Sequence, residues 1–269
     1  MTDPVPDPMI QAFYRDRYDE DQRLVRSGHG RLEFARTQEL LRRHLPPPPG
    51  RILDVGGGTG AHARWLAADG YDVHLIDPVP EHVRQALDNG GDHTAAVGDA
   101  RSLKHGSGLA DATLLLGPLY HLDDPADRAQ ALSEAVRATR PGGLIATAAI
   151  SRYAAILELG ANGRLGATNV SRLTAILKTG HHPEDPAGFT SAYMHRPEEL
   201  HAEMIRAGLH DVVVLGVEGP SAPALDNAPP EALEQLLPAA VLCALMLESD
   251  PAMVCASPHL MGLGWIPTR

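Results

Sequence analysis

The chain is poor in cysteine, lysine and aromatic side chains. Two cysteines, Cys243 and Cys255, stand among 269 residues. They are too few for a disulfide framework and lack metal-ligand spacing, so two buried thiols are the simplest reading. No apolar run approaches the roughly 20 residues of a spanning helix, so no membrane partner is expected. Lys104 and Lys178 are the lysines, the other basic residues being arginines, and the formal net charge is −11. There is no Lys/Arg cluster and no aromatic-rich face. A phosphate backbone requires clustered cations, so no nucleic-acid partner is expected. Met1 to Pro8 is rich in proline and aspartate, unlike a basic-then-apolar leader, and a cytoplasmic location is the simplest expectation. His181 and His182 are adjacent, but no Asp/Glu/Cys set completes an obvious site around them, so no metal is expected. No internal repeat is visible.

What the chain has is glycine in a telling place. Ile52-Leu53-Asp54-Val55 is an apolar β-type segment, and it runs into Gly56-Gly57-Gly58-Thr59-Gly60. A helix-like segment, Ala61 to Ala68, follows. Such a loop lets backbone approach a ligand closely, and the helix start after it presents free N–H groups. This is how a doubly wound α/β fold holds a nucleoside-bearing cofactor at the carboxyl end of its first strand. A second apolar run, Val73 to Ile76, ends in Asp77, roughly 20 residues past the glycines, where an acid can take a ribose diol.

The loop fits two templates. Gly56-x-Gly58-x-x-Ala61 matches a dinucleotide fingerprint, while Asp54-x-Gly56-x-Gly58-x-Gly60 resembles motif I of class I S-adenosylmethionine-dependent methyltransferases. Asp77 suits both. An acid at Asp54 would be unfavourable near a pyrophosphate and favourable near the cationic adenosylmethionine. Thr94 to Ala100 resembles the methyltransferase pattern in which an acid, here Asp99, accepts from the adenine amino group and the next N–H, Ala100, meets a ring nitrogen. Ala112 to Leu122, with Gly117-Pro118-Leu119-Tyr120-His121, resembles motif IV and its active-site extension. The turn Arg140-Pro141-Gly142-Gly143 before a fifth strand, Leu144 to Ile150, completes an ordered set over residues 50–150. The chain is similar to bacterial small-molecule methyltransferases of the methyltransferase type 11 kind.

That resemblance implies a Rossmann-like α/β sheet of seven strands in the order 3-2-1-4-5-7-6, the last antiparallel, with helices on both faces. Four regions are expected: an N-terminal helical cap over 1–45, a cofactor-binding core over 46–150, a helical lid over 151–195, and a core completion over 196–269. Cofactor contacts are expected from Asp54, Gly56, Gly57, Gly58, Gly60, Asp77, Pro78, Asp99, Ala100 and Leu116, with Tyr14 and Tyr18 roofing the methionine end. His121 is the candidate base or substrate orienter, because imidazole titrates near neutral pH. Tyr120 beside it is a second candidate. His195, near Tyr193 at the junction of lid and core, is a third, and His259 reads as structural.

The expected activity is methyl transfer from S-adenosylmethionine to oxygen, nitrogen or carbon of a small molecule, in specialised metabolism, leaving S-adenosylhomocysteine. Homo-oligomerisation is left open. The alternatives are an NAD(P)-dependent oxidoreductase, which shares the glycines and Asp77, and a non-catalytic protein on the same fold.

Overall fold

The computed structural model describes residues 11, 13, 14, 24, 26–185 and 189–268. Its centre is a sheet of seven strands: β1 (Arg51–Val55), β2 (Asp72–Asp77), β3 (His93–Val97), β4 (Ala110–Leu115), β5 (Thr139–Ile150), β8 (His210–Gly216) and β9 (His259–Trp265). Their order is β3-β2-β1-β4-β5-β9-β8. Strand β9 runs antiparallel to both neighbours. This is the expected order, with β9 as the seventh strand and β8 as the sixth. A short hairpin of β6 (His181–His182) and β7 (Ala192–Tyr193) stands apart from the sheet. The direction of winding reverses between β1 and β4, and ligands of such sheets bind in that crevice.

Alternation along the strands builds two cores, because successive side chains face opposite sides of a sheet. Leu53, Leu115 and Ile145 pack with α5 (Pro125–Ala138) and α8 (Pro197–Arg206) on one face. Their neighbours Ile52, Leu114 and Leu144 pack on the other with α1 (Gly28–His44), α2 (Ala61–Ala68) and α3 (Pro80–Asp88). Both faces are covered, so the parallel strands read as near-continuous apolar runs. One helical turn, α4 (Pro118–His121), follows β4 directly.

Helix ends follow local chemistry. Ser27 caps α1 by accepting from Gly30 N at 2.9 Å. Asp124 caps α5 by accepting from Ala126 N at 2.8 Å. Pro197 opens α8, while Glu199 accepts from Arg196 N at 3.0 Å. The sequence places a turn at Arg140 to Gly143, whereas β5 already begins at Thr139. Pairing with the residue just past β9 accounts for this: Gly142 N donates to Ile266 O and Ile266 N donates to Gly143 O, while Gly142 keeps a left-handed φ of +74° within the stretch.

The segment after β5 holds α6 (Ala154–Ala161) and α7 (Ala167–Thr179), as the helical readings at Ala154 to Leu159 and Val170 to Leu177 anticipate. Leu173, Ile176 and Met194 form its own small core with Ile150, Ala155, Ile156 and Leu159 packed against it. A further cluster joins Leu32 of α1 to Ala222 and Leu225 of α9 (Ala222–Asp226) and Ala240 of α10 (Pro230–Leu247). The two cysteines are half-buried free thiols rather than fully buried ones. No described helix is long and apolar enough to cross a membrane.

Candidate functional site

A cavity of about 310 Å³ opens at the carboxyl ends of β1, β2, β3 and β4. Asp54, Gly56, Gly57, Gly58, Asp77, Pro78, Asp99, Ala100, Leu116, Tyr120, His121 and Tyr14 all line it. Gly60 does not line it; with φ +83° it caps α2 and shapes the turn. Gly56 also takes a left-handed φ, +74°, and a Cβ there would stand 2.7 Å from Pro118 Cδ. Tyr18 lies outside the described residues.

Asp54 is fully buried, and neither carboxylate oxygen has a hydrogen-bond partner. It sits beneath the glycine loop: a Cβ on Gly57 would stand 2.7 Å from Asp54 Oδ2. Burial, and then the charge of Asp77, push the Asp54 carboxyl up to about 7. A buried acid without partners is costly unless a donor or cation meets it. Asp77 is held differently. Its Oδ2 accepts from Gly58 N at 2.9 Å, and its Oδ1 accepts from Val79 N at 2.9 Å. Oδ1 also lies 3.2 Å from Nδ1 of His82, a lining residue that the sequence reading missed. A carboxylate has about four lone-pair sites, so Oδ2 keeps room for one hydroxyl of a diol.

Asp99 stands at the mouth with Arg101 folded onto it. Arg101 Nε donates to Oδ1 at 2.9 Å and Nη2 to Oδ2 at 2.8 Å. An adenine amino group would share Asp99 with this guanidinium. Arg101 reaches on to Asp127 at 2.7 Å.

The roof is aromatic. Tyr14 Oη lies 2.7 Å from His121 Nε2, which ties the N-terminal segment to the turn after β4. Tyr14 also packs edge-on to His82, with ring centroids 5.2 Å apart. Phe189, from beyond the lid helices, packs near His121 at 5.7 Å and near Phe13 at 5.8 Å.

A second cavity, about 720 Å³, adjoins the first and shares Tyr14, Glu33, Tyr120 and His259 with it. Its walls come from α6 (Ala154, Ala155, Leu157), from Phe189 and Met194, and from the start of α9 (Ala222, Pro223). The segment read as a lid lines one wall and α1, within the region read as an N-terminal cap, another, but so does α9, which the sequence reading assigned no part in the site.

His195 is not brought there. It is fully buried, lines neither cavity, and its Nε2 lies 3.3 Å from Glu203 of α8. Its ring packs edge-on to Tyr193, and the Arg128 guanidinium lies 3.9 Å from the centre of the Tyr193 ring. This charged cluster joins α5, α8 and β7, and it corrects the assignment of His195 to the reacting centre.

His259 belongs to another constellation, with His29, Glu33 and Glu218. Its Nδ1 lies 2.5 Å from Glu218 Oε1 and 3.8 Å from Glu33 Oε2. Burial alone would lower both imidazoles. Asp226 and Glu218 lift His29 to about 10 nonetheless, and Glu33 and Glu218 raise His259. Glu218, fully buried, is held below the usual carboxylate range by the two imidazoles despite its desolvation.

An open, mostly parallel sheet with a glycine turn after β1 and acids at or just past the ends of β1, β2 and β3 defines an α/β protein of the kind that holds a nucleoside-bearing ligand. Comparison with known proteins narrows the class. A family model described as "Methyltransferase domain" matches residues 53–147. A ubiquinone biosynthesis O-methyltransferase of Xanthomonas axonopodis pv. citri (strain 306) is 30% identical over 176 residues, 64% of this chain and 67% of that relative. An uncharacterized methyltransferase of Mycobacterium tuberculosis (strain ATCC 25618 / H37Rv) is 36% identical over 102 residues, and there the match spans 39% of the relative's length. In fold, the chain is similar to a Thermotoga maritima SAM-dependent methyltransferase described as a possible histamine N-methyltransferase. The TM-score is 0.61 at 18% identity, covering 97% of this chain and all of that one. It is also similar to Haemonchus contortus phosphoethanolamine N-methyltransferase 2, solved with S-adenosylmethionine. That TM-score is 0.58 at 16% identity, over 95% of this chain and 59% of that one. At such identities the structures speak for the fold. The chain belongs to the class I S-adenosylmethionine-dependent methyltransferases.

Proposed function

We propose that this chain transfers a methyl group from S-adenosylmethionine to a small molecule held in the second cavity, in specialised metabolism. The observation that carries the reading is the junction of the two cavities. The acidic cradle at the sheet's rim abuts a second cavity whose volume is typical of small-molecule sites, and they share Tyr14 and Tyr120. The residues fit the donor. Asp54 offers an unpartnered buried carboxylate to an ammonium, Asp77 a held carboxylate to a diol, and the glycine loop room for backbone contact.

The cofactor supplies a methyl group already activated on a sulfonium. What remains for the protein is alignment and the exclusion of water, and orientation alone can lower a barrier by about 7–11 kcal/mol. The lid helix α6, Phe189 and the start of α9 enclose the acceptor. His121 stands on the turn after β4 and, with an oxygen or nitrogen acceptor, takes or steers its proton. Tyr14 Oη on Nε2 fixes the ring's orientation and biases its tautomer. The relatives' printed names divide between O- and N-methyltransferases, so kinship supports the donor and leaves the acceptor atom to chemistry.

Isothermal titration with S-adenosylmethionine, S-adenosylhomocysteine and NADH tests the donor. Binding of the first two and not the third is expected. Failure of both adenosyl ligands, with NADH bound, would overturn the reading in favour of a dinucleotide enzyme. Release of S-adenosylhomocysteine over a panel of phenols, amines and acidic carbon nucleophiles then identifies the acceptor class.

A further inference from the structure

The wall common to both cavities carries a cluster that methyl transfer from a sulfonium does not require. His29, Glu33, Glu218 and His259 each present one donor atom, and the four atoms lie within 4.8 Å of one another. Bonds of about 2.0–2.2 Å to a tetrahedral ion place its donors about 3.3–3.6 Å apart, so the widest pair here must close by a little over 1 Å. The fold brings these residues together from distant segments. β8 runs parallel to β5, so Glu218, just past its end, reaches the carboxyl rim. β9 runs the other way, so its first residue, His259, lies at the same rim opposite Ile150. The first turn of α1 supplies His29 and its second turn Glu33.

The donors are held as ligands are held. Glu218 Oε2 accepts from Ser257 Oγ at 2.8 Å and from His259 N at 3.0 Å. That turns Oε1 toward His259 Nδ1 at 2.5 Å and His29 Nε2 at 3.5 Å. On the far side of the His29 ring, Asp226 Oδ2 lies 3.5 Å from Nδ1, while Asp226 Oδ1 accepts from His29 N at 3.0 Å. A carboxylate behind a ligating imidazole is the usual outer support of a metal-bound histidine. His29 Nε2 itself is buried, makes no hydrogen bond and points at Glu218.

We infer that His29, Glu33, Glu218 and His259 bind one divalent transition-metal ion of the zinc class at the boundary of the two cavities. Two imidazoles with two carboxylates suit such an ion better than magnesium or calcium, which prefer oxygen throughout. Glu33 and His259 line both cavities, so the ion would stand at the wall of the acceptor space. The inference is independent of the methyl-transfer reading, because ion binding is measured without cofactor or acceptor.

The test is titration of the chelator-treated full chain with Co²⁺, followed by its visible d–d absorption, with Zn²⁺ stoichiometry from equilibrium dialysis. One ion per chain is expected. His29→Gln and His259→Gln should each abolish the absorption band, and Asp226→Asn should weaken Co²⁺ binding by about 10–100-fold, as loss of an outer support does. No band in the wild type, or a band that survives both histidine substitutions, would overturn the inference. Circular dichroism checks each variant's fold. If His259→Gln does not fold, His29→Gln, at a half-exposed position, decides together with Glu33→Gln.

Discussion

Cofactor affinity should turn on the protonation of Asp54. The carboxyl is buried without a partner, and burial followed by the charge of Asp77 pushes it up to about 7. If only the carboxylate receives the ligand's ammonium, the apparent Kd is the intrinsic one divided by the competent fraction. The ligand's α-ammonium, on a free amino acid and not a peptide terminus, stays charged through neutrality, so Asp54 sets the acid limb. The charged fraction of Asp54 is about 0.7 at pH 7.4 and about 0.09 at pH 6, roughly an eightfold weakening, with a further tenfold per unit below. Isothermal titration with S-adenosylhomocysteine across that range reads it directly. Asp54→Asn should bind more weakly at neutral pH and lose the acid limb. An acid limb that persists in Asp54→Asn, or a flat wild-type curve, would refute the assignment. The free protein supplies a second readout. The folded carboxyl titrates near 7 against 3.8 unfolded, so the native state holds the extra proton in between. Its contribution to stability is complete below about 3.8 and is lost as pH rises to about 7. Asp54→Asn should therefore raise Tm relative to wild type at pH 8 and bring little change at pH 4, as scanning calorimetry would show.

Asp77→Ala removes an acceptor for Gly58 N and Val79 N as well as the proposed diol partner. With about 1.5–3 kcal/mol for a hydrogen bond to a charged group, affinity for S-adenosylhomocysteine should fall by about 10–150-fold. Unchanged affinity in calorimetry would remove Asp77 from the ribose role. Tyr14→Phe deletes only the hydroxyl that meets His121. Turnover with the true acceptor should fall about tenfold, and His121→Ala should lower it further, while the cofactor Kd stays within about threefold. Normal turnover in both would leave His121 a packing residue. Gly56→Ala places a Cβ 2.7 Å from Pro118 at φ +74°. A strain of about 1–2 kcal/mol should lower Tm by several degrees, and a shifted loop should weaken cofactor binding. A Tm and Kd equal to wild type would contradict the close approach.

The features legible in the sequence are those written within one contiguous stretch. Asp54 through Gly60 is a strand, an acid and a bare turn in sequence, and the structure keeps them adjacent at the cavity. Asp77 and Asp99 were legible for the same reason, each closing an apolar run whose period places its end at the rim. What was not legible depended on which distant group reached a side chain first. Arg101, two residues past Asp99, folds back onto both its oxygens, a contact that the apolar run before Asp99 does not signal. His195 reads as a substrate wall until Glu203 and Tyr193 capture its ring. His82 had a local signal, five residues past Asp77 on the first turn of α3, but its contact with Asp77 depends on the turn through Pro78 and Val79.

The second cavity shows why such a site resists reading from a single chain. A sheet of parallel strands alone would draw its rim from strand-to-helix loops, whose residues follow each strand closely and can be scanned for motifs. This sheet carries a reversed strand, β9, between β5 and β8, so the rim also receives the start of β9, and His259 arrives from the chain's last quarter to face His29 from its first. Between them stands Glu218, a fully buried acid 2.5 Å from the His259 ring and 3.5 Å from that of His29. Replacing Glu218 by glutamine would remove the carboxylate shared by two crowded imidazoles, leaving Asp226 and Glu33 beside them, and breaking a buried charge cluster commonly costs about 3–5 kcal/mol. The polar wall is therefore part of the fold's stability as well as of the acceptor space. A substitution there should lower Tm before any substrate is added, whereas Tyr14→Phe, at the same boundary, should not.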